Sequence, residues 1–342
     1  MTPDAVQRRR TRDALGHPGA TTGLACARGP LCQGLGVLVS VQRFRAPAID
    51  ARRDFYGAFH PRLWIHVVDQ IGCLDEALFP NLGAARPQAG RRLVGLSLSG
   101  ISHARFSERT FVSEPGAGVT CDGRSAFRGR AESLDDVSAR SIVIDWDVRH
   151  FGGPRAGGTE AVRVSSLARL AAHVDALVLA IARTFRDERG PRLEEASAAL
   201  LGFLHAEGLD VPRLTAADLI VPPEPELQAM SRALDQALSL TDEMPMLVDV
   251  EATAGASIRT IQRWLPRIRK AWGHDDDGDG FRALRARVVA ARACLFMSRP
   301  GATTEGAARF LGFASPNALC RRFAEAGLPS PGQVRQRLHA IA

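Results

Sequence analysis

The C-terminal end of this chain carries the same helical device twice, in register. Ser257 and Ser315 each open a helix, and large apolar side chains follow four and eight residues later, Ile261 and Leu265 in one copy, Leu319 and Phe323 in the other. At about 100° per residue each pair falls on one face of its helix, and that face must be laid on a core. A short helical stretch and a glycine-containing turn precede each helix, over 246–256 and 304–314. This is the outline of two helix-turn-helix units.

Charge follows the motif. Residues 244–342 hold 15 Lys and Arg against 8 Asp and Glu, so the whole net charge of +7 lies there and the rest of the chain sums to zero. A basic surface attracts a phosphate backbone, and its binding weakens with salt. Double-stranded DNA is therefore the expected partner. Between the units, Phe281, Leu284, Val288, Ala291 and Leu295 form one face of a long helix that would fix the spacing of the two heads. Heads held roughly 34 Å apart can enter successive major grooves on one face of a duplex.

With Leu319 and Phe323 turned inward, Asn317 and Arg321 point outward, with Ala318 and Arg322 on the flanks. Arginine can bond guanine bidentately, asparagine can do so to adenine, and a small alanine can meet a thymine methyl. Arg321 is the strongest base-reading candidate. Ser315 followed by Pro316 reads as an N-cap with proline at the first helical position, and Thr304 as the cap of the helix before it. The equivalent outward positions of the first unit are Arg259, Thr260 and Arg263, with Gln262 on one flank and Trp264 beside them, after the cap Ser257.

Residues 244–342 resemble the DNA-binding domain of AraC/XylS-type transcriptional regulators. The stretch 306–323, GAARFLGFASPNALCRRF, is similar to the second-unit signature of that family: a Gly-Phe turn, Ser-Pro, an apolar residue, and Arg ahead of Phe. Gly327, Ser330-Pro331 and Arg335 resemble its closing pattern. The resemblance implies a regulator that binds promoter DNA and contacts RNA polymerase. Such a domain often follows a small β-barrel sensor and a helical segment. The sequence departs from the pattern at Glu251, where a small residue is usual, at Pro266, which is expected to interrupt the first recognition helix, at Gly306, at Val334, and in a longer loop over 273–280. Glu251 and Pro266, both in the first unit, make the second unit the expected stronger discriminator.

The remainder reads as a multidomain α+β chain. Residues 1–20 form an expected disordered basic arm. Over 21–158, short apolar runs at 35–41, 63–68, 92–98 and 141–146 alternate with Gly, Pro and Asp clusters, a strand-and-turn rhythm for a β-rich sensor domain, for which a cupin-like barrel is a candidate. From 159 to 242 the pattern turns helical. Leu167, Leu170, Val174, Leu177, Ile181 and Phe185 stripe one amphipathic helix over 165–189, either packed on the strands or forming the seam of a homodimer. Further helices are expected over 193–207 and 226–240, then a hinge at 241–245 and an all-α domain over 243–342 with its two units joined by the long helix.

The sensor region would bind a small-molecule effector or dimerise. Six scattered cysteines lacking any C-x-x-C pair point away from zinc and disulfide frameworks and fit a cytoplasmic protein. Arg28 breaks the apolar stretch 24–41, so a signal or membrane helix is not expected. Asp275, Asp277, Asp279 and Gly280 copy the first half of a calcium loop, but Ala286 stands where the bidentate acid is needed. The final glycine of the segment 95–100, with Ser97 and Ser99, falls one place too late for a nucleophile elbow. His60 and His66 have no third ligand at metal-like spacing. The glycine-rich 152–158 lacks the Lys-Ser/Thr of a phosphate loop. Cys320 on the second recognition helix reads as packing. No catalytic, cofactor or metal site is expected.

Overall fold

The computed structural model describes residues 38–75, 90–106, 109–122, 127–132, 138–151, 158–188, 192–220, 224–239, 246–271, 280–325 and 328–339. The expected basic arm, the hinge at 241–245, the Asp275–279 stretch and most of 152–158 lie outside the described residues.

Eleven strands are described: β1 (Leu38–Ala46), β2 (Ala51–His60), β3 (Leu63–Ile71), β4 (Cys73–Asp75), β5 (Arg91–Ser99), β6 (Ile101–Phe106), β7 (Arg109–Ser113), β8 (Ala117–Asp122), β9 (Phe127–Glu132), β10 (Ala139–Asp147) and β11 (Glu160–Arg163). One sheet has seven strands in the order β1-β2-β3-β10-β5-β8-β11, the other four in the order β4-β9-β6-β7. Neighbouring strands run antiparallel in both, with Val67 opposite Ile142 and Tyr56 opposite Val67 fixing the register at the centre. The sheet extends past residue 158, because β11 returns to pair with β8.

Alternation gives the central strands of the large sheet two apolar faces. Val39 and Val41, Leu63, Ile65 and Val67, Val94 and Leu96, and Ile142, Ile144 and Trp146 face a helical layer made of α2 (Leu167–Phe185) and α3 (Leu193–Ala206). A four-residue helix α1 (Val148–Phe151) follows β10. Ser166 caps α2 by accepting the Arg169 N–H at 3.4 Å, and Leu170, Val174, Leu177, Ala180 and Ile181 are buried against the sheet. The long stripe is thus a packing face. On the opposite side Leu93, Val119 and Cys121 meet Ala104 of the small sheet.

Strand β1 is the edge of the large sheet, and helix α4 (Pro225–Ser239) covers it. Its side chains answer the outward row of backbone donors one by one. Val39 N–H donates to Gln228 Oε1 at 3.0 Å, Val41 N–H to Asp235 Oδ2 at 3.2 Å, and Arg43 N–H to Ser239 Oγ at 3.1 Å. Gln228 Nε2 returns a bond to the Val39 carbonyl at 3.3 Å. An edge strand left open is a template for pairing with another chain. Here a helix takes that place.

Six further helices complete the described chain: α5 (Leu247–Ala254), α6 (Ile258–Ala271), α7 (Gly280–Met297), α8 (Thr304–Phe310), α9 (Pro316–Glu325) and α10 (Pro331–His339). They pack directly on the first strands. Val250, Ile261, Leu265, Ile268, Phe281 and Leu284 share a core with Leu38, Phe59 and Trp64 of the sheet and with Met230, Leu234 and Leu238 of α4. Leu319, Phe323, Val334 and Leu338 share another, with the second half of α7 and with Phe44, Ala46, Ala51 and Cys73. Phe281, Leu284 and Leu295 of the expected α7 face are buried, while Val288 and Ala291 are half-buried. Burial spreads around the rest of α7 because its second half also packs on Phe44, Ala46 and Cys73, and the turn after it is tied to the same region: Ser298 Oγ accepts the Cys73 N–H at 2.8 Å, and Arg299 Nε donates to the Ile49 carbonyl at 3.2 Å.

Candidate nucleic-acid interface

Each unit is built in the same way. Helix α5 ends at Gly255 (φ 60°), in the left-handed region that a side chain resists. Gly312 (φ 74°) turns the chain after α8. Ser257 then accepts the Thr260 N–H at 3.3 Å, and Ser315 accepts the Ala318 N–H at 3.2 Å with Pro316 opening α9. Ile261 and Leu265, and Leu319 and Phe323, are at most 1% exposed. The caps and inward pairs thus fix which face of α6 and α9 looks outward.

On those outward faces the expected residues fall as follows. Arg259, Gln262 and Arg263 are exposed on α6, while Thr260 is half-buried with its hydroxyl 3.1 Å from that of Ser257. On α9, Asn317 and Arg321 are exposed, and Ala318, Cys320 and Arg322 are half-buried. Neither Arg263 nor Arg321 forms an ion pair or hydrogen bond with another described residue. Their guanidinium donors are available to a ligand.

Two expectations need correction, and Glu251 finds a partner. The cap of α8 is Thr303, which accepts the Gly306 N–H at 2.9 Å from an extended backbone, and Thr304 is already helical. Pro266 does not end its helix, since α6 continues to Ala271. A proline in a helix interior loses one donor and crowds the preceding turn, at a total cost of about 3 kcal/mol. Buried Leu265 and Ile268 on either side of it hold α6 to the core regardless. Glu251 is half-buried and accepts the Ile258 N–H at 3.3 Å. The carboxylate thus joins α5 to the N-terminal turn of α6, where free N–H groups and the helix dipole favour negative charge.

Sequence reasoning missed the arginines of the linker. Arg282 is exposed and Arg285 half-buried on α7. Arg292, buried, donates to the Leu238 carbonyl in the last turn of α4, and burial pulls it down to about 10. Only the charge count over 244–342 hinted at them.

In the N-terminal part, a small cavity of about 10 Å³ lies between β2, β3 and α3, lined by Ala58, His60, Leu63, Ile65, Leu193, Glu194, Ser197 and Leu219. Burial, and then the charges of His150 and Arg62, lower His60 to about 4, so it is neutral near pH 7, and its Nδ1 accepts the Arg62 N–H at 3.2 Å. His66 stacks on Phe55 at 5.6 Å on the other face of the sheet, so the two histidines do not converge. Ser97 Oγ donates to the Ser99 carbonyl at 3.3 Å, within the backbone of its own strand end. No helix among the described residues is long and apolar enough to cross a membrane.

No family model and no curated protein matches the chain. Among solved structures it is similar to the AraC-like transcriptional activator CuxR, with a TM-score of 0.31 and 15% identity over 71% of this chain and 81% of that one. It is also similar to unsaturated fatty acid-bound ToxT from Vibrio cholerae strain SCE256, with a TM-score of 0.31 and 12% identity over 83% of this chain and 98% of that one. A third similarity, to the protein Ylba from E. coli, has a TM-score of 0.26 and 13% identity, and covers 33% of this chain and 45% of that one.

Proposed function

We propose that this chain is a sequence-specific DNA-binding transcriptional regulator of the AraC/XylS type, which reads two short promoter blocks with α6 and α9. One observation carries the reading. Two helices with the same serine cap and the same buried pair present Arg263 and Arg321 outward, neither paired with another described residue, and both share a core with α7. In this reading α6 offers Ser257, Arg259, Thr260, Gln262 and Arg263, and α9 offers Ser315, Asn317, Ala318, Arg321 and Arg322. The work is differential binding, with no bond chemistry, and RNA polymerase is the partner to which the regulator presents itself. The sheet domain binds a small effector or a second copy of the chain. An effector acts only by favouring one of two arrangements that differ in DNA affinity.

The test is a mobility shift on the chain's own upstream region, with Arg321→Ala beside the wild type. Loss of one bidentate contact weakens specific binding by about 1–3 kcal/mol, roughly 5- to 150-fold, and relaxes preference at one base position. If affinity and site preference both stay unchanged, α9 is not a base reader.

A further inference from the structure

Arg282 and Arg285 lie three residues apart on α7, and so share one side of that helix. Arg285 Nη1 donates to Met246 Sδ at 3.1 Å, at the residue that opens α5 of the first unit. Arg322, on α9 of the second unit, acts on the same guanidinium through its charge, as does Arg282. The linker thus brings two positive charges to the start of the first unit, and the recognition helix of the second unit brings a third within reach of them. Among the described residues, neither Arg282 nor Arg285 forms an ion pair. A thioether is a weak acceptor and brings no negative charge. Burial first, then repulsion by Arg322 and Arg282, draws Arg285 below the usual guanidinium range. Like charges held together in a partly buried site raise the energy of the free protein, and an anion between them relieves it.

We propose that Arg282 and Arg285, with Arg322 beside them, bind a backbone phosphate of duplex DNA between the two recognition helices. The inference rests on the DNA-binding reading and adds a contact that reading does not contain. Heads that enter successive major grooves straddle one minor groove, and the backbone along that groove passes beneath whatever joins the heads. A cation there fixes the position of the protein on the duplex and carries no sequence information.

The experiment measures binding of the full chain to its own upstream region and to a random duplex by fluorescence anisotropy, across a series of salt concentrations. Arg282→Ala and Arg285→Ala are each expected to make the slope of log K against log salt shallower by about one, equally on both duplexes. Arg285→Lys keeps the charge and is expected to keep the slope. Unchanged slopes in both alanine variants, with the wild type binding normally, overturn the phosphate site and leave the DNA-binding reading standing. A slope lost equally in Arg285→Lys assigns the effect to packing and also overturns the site. Inorganic phosphate that raises the wild-type Tm at constant ionic strength, with slopes unaffected by the substitutions, makes free phosphate the ligand and overturns it too. A wild type that binds no duplex removes the reading and the inference together.

Discussion

Glu251 stands where the pattern of the unit asks for a small side chain, and its carboxylate serves as the acceptor for the first backbone donor of α6. An acceptor at a helix start is worth about 0.5–2 kcal/mol. Glu251→Ala is therefore expected to lower the Tm, while Glu251→Gln, which keeps an oxygen at that point, should recover most of the loss; thermal unfolding of the three proteins measures it. The departure at this residue was legible in the sequence. Its partner was not, because the bond runs between two helices whose packing must exist first. Thr303 and Thr304 show a finer limit. Both residues can cap, and the backbone alone decides between them.

Elements with one clear apolar face were read well. The stripe of α2 and the paired faces of α6 and α9 follow from side-chain period, which needs no knowledge of the rest of the chain. Where two layers compete for one element the pattern blurs, as in α7, buried on several sides by the sheet and the second unit. The fit of α4 on β1 left no trace in the sequence, since Val41 and Asp235 are far apart along it. That fit gives the element a pH signature. Burial pushes the Asp235 carboxyl up to about 8, although bonds from Ser40, Gln42 and the Val41 N–H draw it down. The unfolded value is about 3.9. An acid raised on folding contributes fully below about pH 4, and that contribution is lost as the pH climbs through about 8. Denaturant unfolding should show Asp235→Asn gaining on the wild type from about pH 5 to about pH 9, with the difference closing toward about pH 4. Parallel stability curves would mean that the folded chain keeps the carboxylate ionised.

For the whole molecule, the layout of strands followed by helices was legible, because composition and period change along the chain. The closeness of the two parts was not. Leu38, Phe59 and Trp64 complete the core of the first unit, and Phe44, Ala46 and Cys73 that of the second. A fragment of residues 243–342 made alone should therefore melt below the full chain and bind a hydrophobic dye; a fragment as stable as the parent would show that these sheet contacts add little. Helix α4 has a last consequence, in time. Strand β1 leaves the ribosome long before the helix that covers its edge. At synthesis rates of about 5–20 residues per second the gap of roughly two hundred residues lasts about 10–40 s. For that interval the nascent chain carries an open strand margin, and a chaperone, or simply dilution, has to keep neighbouring polypeptides off it until Ser239 emerges.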